Sequence, residues 1–131
     1  MAVDMTNSGL NEYRKVHASG NLADASPHRV VQVMLQTAID RLAEAKGHMD
    51  RDEPAAKSEA IGKALAIVEA LQLSLDAQSG GEVARNLNDL YEYMTRTLLQ
   101  ANAGNNGELV DEVVNLLGEI KSGWDGIAPV D

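Results

Sequence analysis

The chain has 131 residues, no cysteine, and 11 basic against 20 acidic side chains, for a formal charge of −9. That length suffices for one core, and the missing thiols exclude disulfide frameworks and cysteine metal sites. The acidity argues against nucleic acids and anionic membrane surfaces, both of which would repel it, so a partner should be neutral, basic or apolar.

Residues 1–24 are polar, broken by Gly9 and Gly20, with only Leu10, Tyr13, Val16 and Leu22 as sizeable apolar side chains. They read as a mobile N-terminal arm with one or two helical turns around residues 11–17. The opening MAVDMTNSGL has no basic patch followed by an apolar run, so no secretory signal is expected. The longest apolar stretch, residues 64–68, is too short to span a bilayer, and the expected compartment is the cytoplasm.

A helical period begins at Ser26. Ser26 is placed to cap a helix and Pro27 to occupy its first position, which leaves His28 as an expected solvated residue of the first turn. Val31, Met34, Leu35, Ala38, Leu42, Ala45 and Met49 then recur at steps of three and four and share one face. After the polar break at residues 50–54 comes a second stripe, Ile61, Ala64, Leu65, Val68, Leu71 and Leu75, which ends at Gly80 and Gly81. The third stripe is Val83, Leu87, Leu90, Tyr91, Met94, Leu98 and Ala101, followed by a turn over residues 102–107. The fourth is Leu109, Val113, Leu116, Leu117, Ile120 and Trp124. Each stripe fits a helix about 30 Å long, and the short connections imply antiparallel neighbours. The expected fold is all-α: an antiparallel up-down-up-down four-helix bundle over residues 25–127, with the arm before it and a tail at residues 128–131.

The second helix carries more apolar residues than a small bundle needs. Ala66, Ala70, Leu73 and Ala77 lie roughly opposite its stripe, where a bundle helix is normally polar. Tyr93 and Leu99 on the third helix, Val114 on the fourth, and Val30, Val33 and Ile39 on the first also lie off their stripes. A second apolar face invites a partner, and a docking groove built from Ala66, Ala70, Leu73, Ala77, Tyr93, Leu99 and Val114 is expected.

No constellation for chemistry accompanies these stripes. The three histidines sit in the arm or near helix ends, which is unsuited to phosphotransfer from a mid-helix imidazole. Glu44 and His48 are four apart, not three, so the di-iron pattern is missing, and no metal or other cofactor is expected. Gly80 and Gly81 open a helix without the lysine of a phosphate loop, and no serine has a nucleophile's context. The chain reads as a binding protein, not an enzyme.

Several stretches carry a family likeness: Glu12-Tyr13-Arg14 in the arm, Ala25-Ser26-Pro27-His28-Arg29-Val30-Val31, and Lys63-Ala64-Leu65-Ala66-Ile67-Val68. With them go Leu90-Tyr91-Glu92-Tyr93-Met94, Leu98-Leu99-Gln100-Ala101-Asn102, Leu109-Val110-Asp111-Glu112-Val113 and Trp124. In this order and spacing the chain resembles the flagellin-specific export chaperones, the FliS family, from about Tyr13 to Trp124. It departs from them at Leu35-Gln36-Thr37, where many relatives have a Tyr-Asp-Gly-like sequence, and at Val30, where leucine is common. The resemblance implies an antiparallel helical bundle that binds the C-terminal segment of flagellin in the cytoplasm. It would prevent early polymerisation and aid delivery to a component of the flagellar type III export gate. It also implies that the arm can cover part of the groove, with Leu10, Tyr13 and Val16 in a switch or docking role. The nearest alternative it leaves open is a helical chaperone for another flagellar export substrate, such as the filament cap protein.

Overall fold

The computed structural model describes residues 25–78 and 81–127, and for residues 76–78 the backbone alone. Four helices follow one another: α1, Pro27–Asp50; α2, Pro54–Gln78; α3, Gly81–Gly104; and α4, Gly107–Asp125. Each packs on its neighbour in sequence, α4 closes the ring against α1, and among the described residues the diagonal pairs do not meet. This is the expected antiparallel four-helix bundle.

Local chemistry starts and stops the helices where the sequence signals them. The Ser26 hydroxyl accepts the Arg29 amide at 3.2 Å with Pro27 behind it, and Asn106 caps α4 by accepting from the Glu108 and Leu109 amides. Helix α1 ends in a Schellman motif. Asp52 turns left-handed (φ 56°), its amide donates to the Met49 carbonyl, and the Glu53 amide reaches back to the His48 carbonyl. Helix α3 ends the same way, with Asn105 left-handed (φ 52°) and the Asn106 amide donating to the Ala101 carbonyl. The link between α3 and α4 is thus only Asn105 and Asn106. The turn expected over residues 102–107 is shorter because Asn105 supplies the left-handed residue that glycine usually provides.

The core consists of aliphatic and methionine side chains with one phenol. Leu35 and Leu42 of α1, Ile61, Ile67, Val68 and Leu71 of α2, Met94 and Leu98 of α3, and Val110 and Leu117 of α4 are almost wholly enclosed. Truncating any of these leucines to alanine would cost about 2–5 kcal/mol. The stripes on α1, α3 and α4 point inward as expected, except at Val83, which is 70% exposed at the open end of the bundle.

Helix α2 buries Ile61, Ala64, Val68 and Leu71 of its expected stripe but is turned part of the way toward Ala60 and Ile67. Ala60 and Ile67 are buried, whereas Leu65 and Leu75 are only half-buried at the edge of the core. A helix apolar almost all round marks its inner arc only weakly. Packing against α1 and α3 chose the arc centred on Ala60, Ala64, Ile67 and Leu71.

Three polar side chains are buried among the described residues: Thr97 of α3, Lys57 and His28. Lys57, 7% exposed, sends its ammonium to the Asn102 carbonyl at 3.0 Å and to the Asn105 side-chain oxygen at 3.3 Å. There it satisfies the C-terminal end of α3, which favours a cation. His28 is 8% exposed, not solvated as expected. Its ring stacks on Trp124, and the Trp124 indole donates to the His28 carbonyl at 2.9 Å. A partner 96 residues away in sequence converts a first-turn residue into an interior one.

Candidate functional site

Cross-helix hydrogen bonds fix which flank of each helix faces which neighbour. On α2, Ser58 and Gln72 bond to Asn102 and Asn88 of α3 and so mark the α3 side. At 100° per residue, Ala70, Lys63 and, next to them, the buried Ala66 fall toward the opposite flank, facing α1, and Leu73 points outward. On α1, Gln32 and Lys46 bond to Asp125 and Asp111 and mark the α4 side. Val30, Thr37 and Arg41 fall on the other flank, toward α2, with Val33 just outside them.

The outer seam between α1 and α2 is therefore apolar along half its length. Leu73 is 61% exposed, Val30, Val33 and Ala70 are half-buried against the core, and Ala66 is buried although it lies outside the core cluster. A single exposed leucine would need no explanation. A leucine beside two valines and two alanines on one seam makes a continuous apolar strip.

The structure brings together only part of the expected groove. Ala66, Ala70 and Leu73 share one face, and the side chain of Ala77 lies outside the described residues. Leu99, 54% exposed, lies on the same flank of α3 as Asn88 and Asn102, and so on the far side of α2 from Ala70. The Tyr93 hydroxyl donates to Glu112, which places it on the seam between α3 and α4. Val114 packs half-buried on the α1 side of α4, as does Ile39 on the facing flank of α1. These three groove positions are separated because periodicity assigns a face to each helix without saying how the faces turn toward one another. Leu10, Tyr13 and Val16 of the arm lie outside the described residues.

Burial pushes the Tyr91 phenol up to about 12, and the Tyr93 hydroxyl is raised chiefly by its bond to Glu112. Among the described residues, no group of three or more histidines and carboxylates could hold a metal, and no helix is long and apolar enough to cross a membrane. A hollow of about 480 Å³ lies where the end of α1 meets the turn between α3 and α4, but Lys46, Asp50, Asn105 and Glu108 make its walls polar.

Comparison with known proteins agrees with a binding role. The family model described as flagellar protein FliS matches residues 9–131. A flagellar secretion chaperone of Pseudomonas aeruginosa, FliSB, is 45% identical over 119 residues, covering 91% of this chain and 94% of its own. The flagellar secretion chaperone FliS of Vibrio cholerae is 40% identical over 120 residues, covering 92% of this chain and 88% of that one. That of Salmonella typhimurium is 38% identical over 125 residues, covering 95% and 93%.

Proposed function

The chain belongs to the FliS family of flagellar secretion chaperones, a family of binding proteins, and on that premise we propose that its cargo is the C-terminal segment of flagellin, held on the outer seam of α1 and α2. The observation that carries this reading is Leu73, 61% exposed on the same seam as the half-buried Val30, Val33 and Ala70. A flagellin terminus outside the filament is a disordered chain with an apolar face. Laying that face on the strip hides the surface it would otherwise use to polymerise. Ordering the segment offsets part of the contact energy, which leaves binding reversible and allows release at the export gate. The complex forms in the cytoplasm and is handed to a component of the export apparatus. The arm serves as a competitor, with Leu10, Tyr13 and Val16 laid on the strip until cargo displaces them.

Calorimetric titration of the full chain with a peptide from the C-terminal end of the same organism's flagellin tests this. One-to-one binding with a negative heat-capacity change is expected, since apolar surface is buried. Absence of binding at roughly tens of micromolar overturns the flagellin reading and makes the filament cap protein the next cargo to titrate.

A further inference from the structure

Arg41 and Lys63 fall on the same seam. Arg41 lies nine residues before Asp50, the last residue of α1, and Lys63 nine after Pro54, the first of α2. Antiparallel helices joined by a short turn thus put the two cations at one level, on the flanks that face each other. They stand directly beyond the apolar strip, since Ala66 and Ala70 are three and seven residues past Lys63.

The Arg41 guanidinium is only partly used. Its Nη1 meets Glu44 at 3.5 Å along the same helix, a pair with both side chains partly in water. Its Nε is shut off from water and has no acceptor. The edge formed by Nε and Nη2 is the one that grips a carboxylate through two parallel hydrogen bonds. A buried donor without an acceptor is unfavourable, and a turn of the partly exposed guanidinium that brings Nε to an arriving carboxylate removes that penalty. Lys63, half-buried, makes no ion pair among the described residues, Glu59 one turn earlier included.

We propose that Arg41 and Lys63 form an anchor for one acidic side chain of the cargo helix, which sets the cargo's register on the apolar strip; this rests on the cargo reading above. The seam runs on past the pair for about 14 Å to the turn, so a helix lying along it passes the cations instead of ending at them. An Asp or Glu side chain at the edge of the helix's apolar face meets that geometry, and a chain-terminal carboxylate does not. The anchor also gives direction to a strip whose apolar contacts have none.

The test is calorimetry of the flagellin peptide with the full chain and with Arg41→Gln and Lys63→Gln, at low and high salt, with folding checked by circular dichroism. Each substitution should weaken binding by about tenfold and reduce its salt dependence. Replacing the paired acidic residue of the peptide by its amide should produce the same loss in the native chain and no further loss with Arg41→Gln. Lys63→Gln, at the rim, keeps the test open if Arg41→Gln fails to fold. Equal or tighter binding by the folded variants, or a loss reproduced only by amidating the peptide's C-terminus, overturns the anchor while the cargo reading stands. If the native chain itself does not bind the peptide, the cargo reading fails and the anchor with it.

Discussion

The His28 imidazole lies on the Trp124 indole with ring centroids 4.9 Å apart and planes 12° from parallel. The indole N–H donates to the carbonyl of the same histidine at 2.9 Å. Beside them Gln32 donates to Asp125 at 2.8 Å, and Lys121 to the same carboxylate at 2.7 Å. The first turn of α1 is thus clasped to the last turn of α4, at the point where the arm joins the bundle.

Trp124→Ala removes the stack, the hydrogen bond and a half-buried aromatic surface together. It should destabilise the bundle by about 3 kcal/mol, near the low end for a truncated tryptophan. Trp124→Phe keeps a ring and loses the donor, for about 1 kcal/mol. Urea unfolding followed by circular dichroism measures both, and a change of only a few tenths for the alanine variant would show that the clasp contributes little.

The two faces of α2 should respond oppositely to charge. Ile67→Asp places a carboxylate where the native side chain is 1% exposed, and an unpaired charge there should leave the chain unfolded at room temperature. Leu73→Asp lies in water and should leave the unfolding midpoint unchanged while abolishing binding of the flagellin peptide. Full binding by a folded Leu73→Asp variant would remove the strip from the site.

Lys57→Met keeps the aliphatic stem and deletes the ammonium that reaches Asn102 and Asn105. The end of α3 then loses charged hydrogen bonds worth about 1.5–3 kcal/mol. Hydrogen exchange should show the loss first at residues 101–106, ahead of any change in α1. Uniform acceleration across all four helices would mean that Lys57 supports the whole bundle and not this turn.

Asp52 turns left-handed at φ 56°, a conformation that costs an L-residue energy and glycine nearly none. It also places a negative charge at the C-terminal end of α1. Asp52→Gly should therefore raise stability, by about 0.5–1 kcal/mol. A lower melting temperature would contradict this account of the turn.

Bonds from His48 and then Arg51 hold the Glu53 carboxyl below its ordinary value of 4.5. A depressed carboxyl contributes stability above that ordinary value and loses it as the pH falls through the depressed one. The group is exposed, so the effect is small and screened by salt. Urea midpoints of the native chain and of Glu53→Gln should differ at neutrality and converge in acid. A gap that stays constant through the acid range would separate Glu53 from acid unfolding.

Helix count, helix boundaries and up-down order are set by short-range chemistry, and that chemistry can be read along the chain. Ser26, Pro27 and Asn106 act within one helical turn, and the stripes of α1, α3 and α4 point inward because each has a single apolar arc. For α2, apolar almost all round, the inner arc is weakly marked, so Ile67 goes inside and Leu65 to the edge only when α1 and α3 pack around it. The burial of His28 depends on Trp124 at the far end of the chain, and local spacing holds no trace of it. The apolar excess of α2 is visible in the residues themselves. That Ala66, Ala70 and Leu73 join Val30 and Val33 on one seam, while Leu99, Tyr93 and Val114 are sent to others, is decided by how four rotated helices meet. Periodicity fixes each helix's faces relative to its own axis, and only tertiary packing fixes one axis relative to the next.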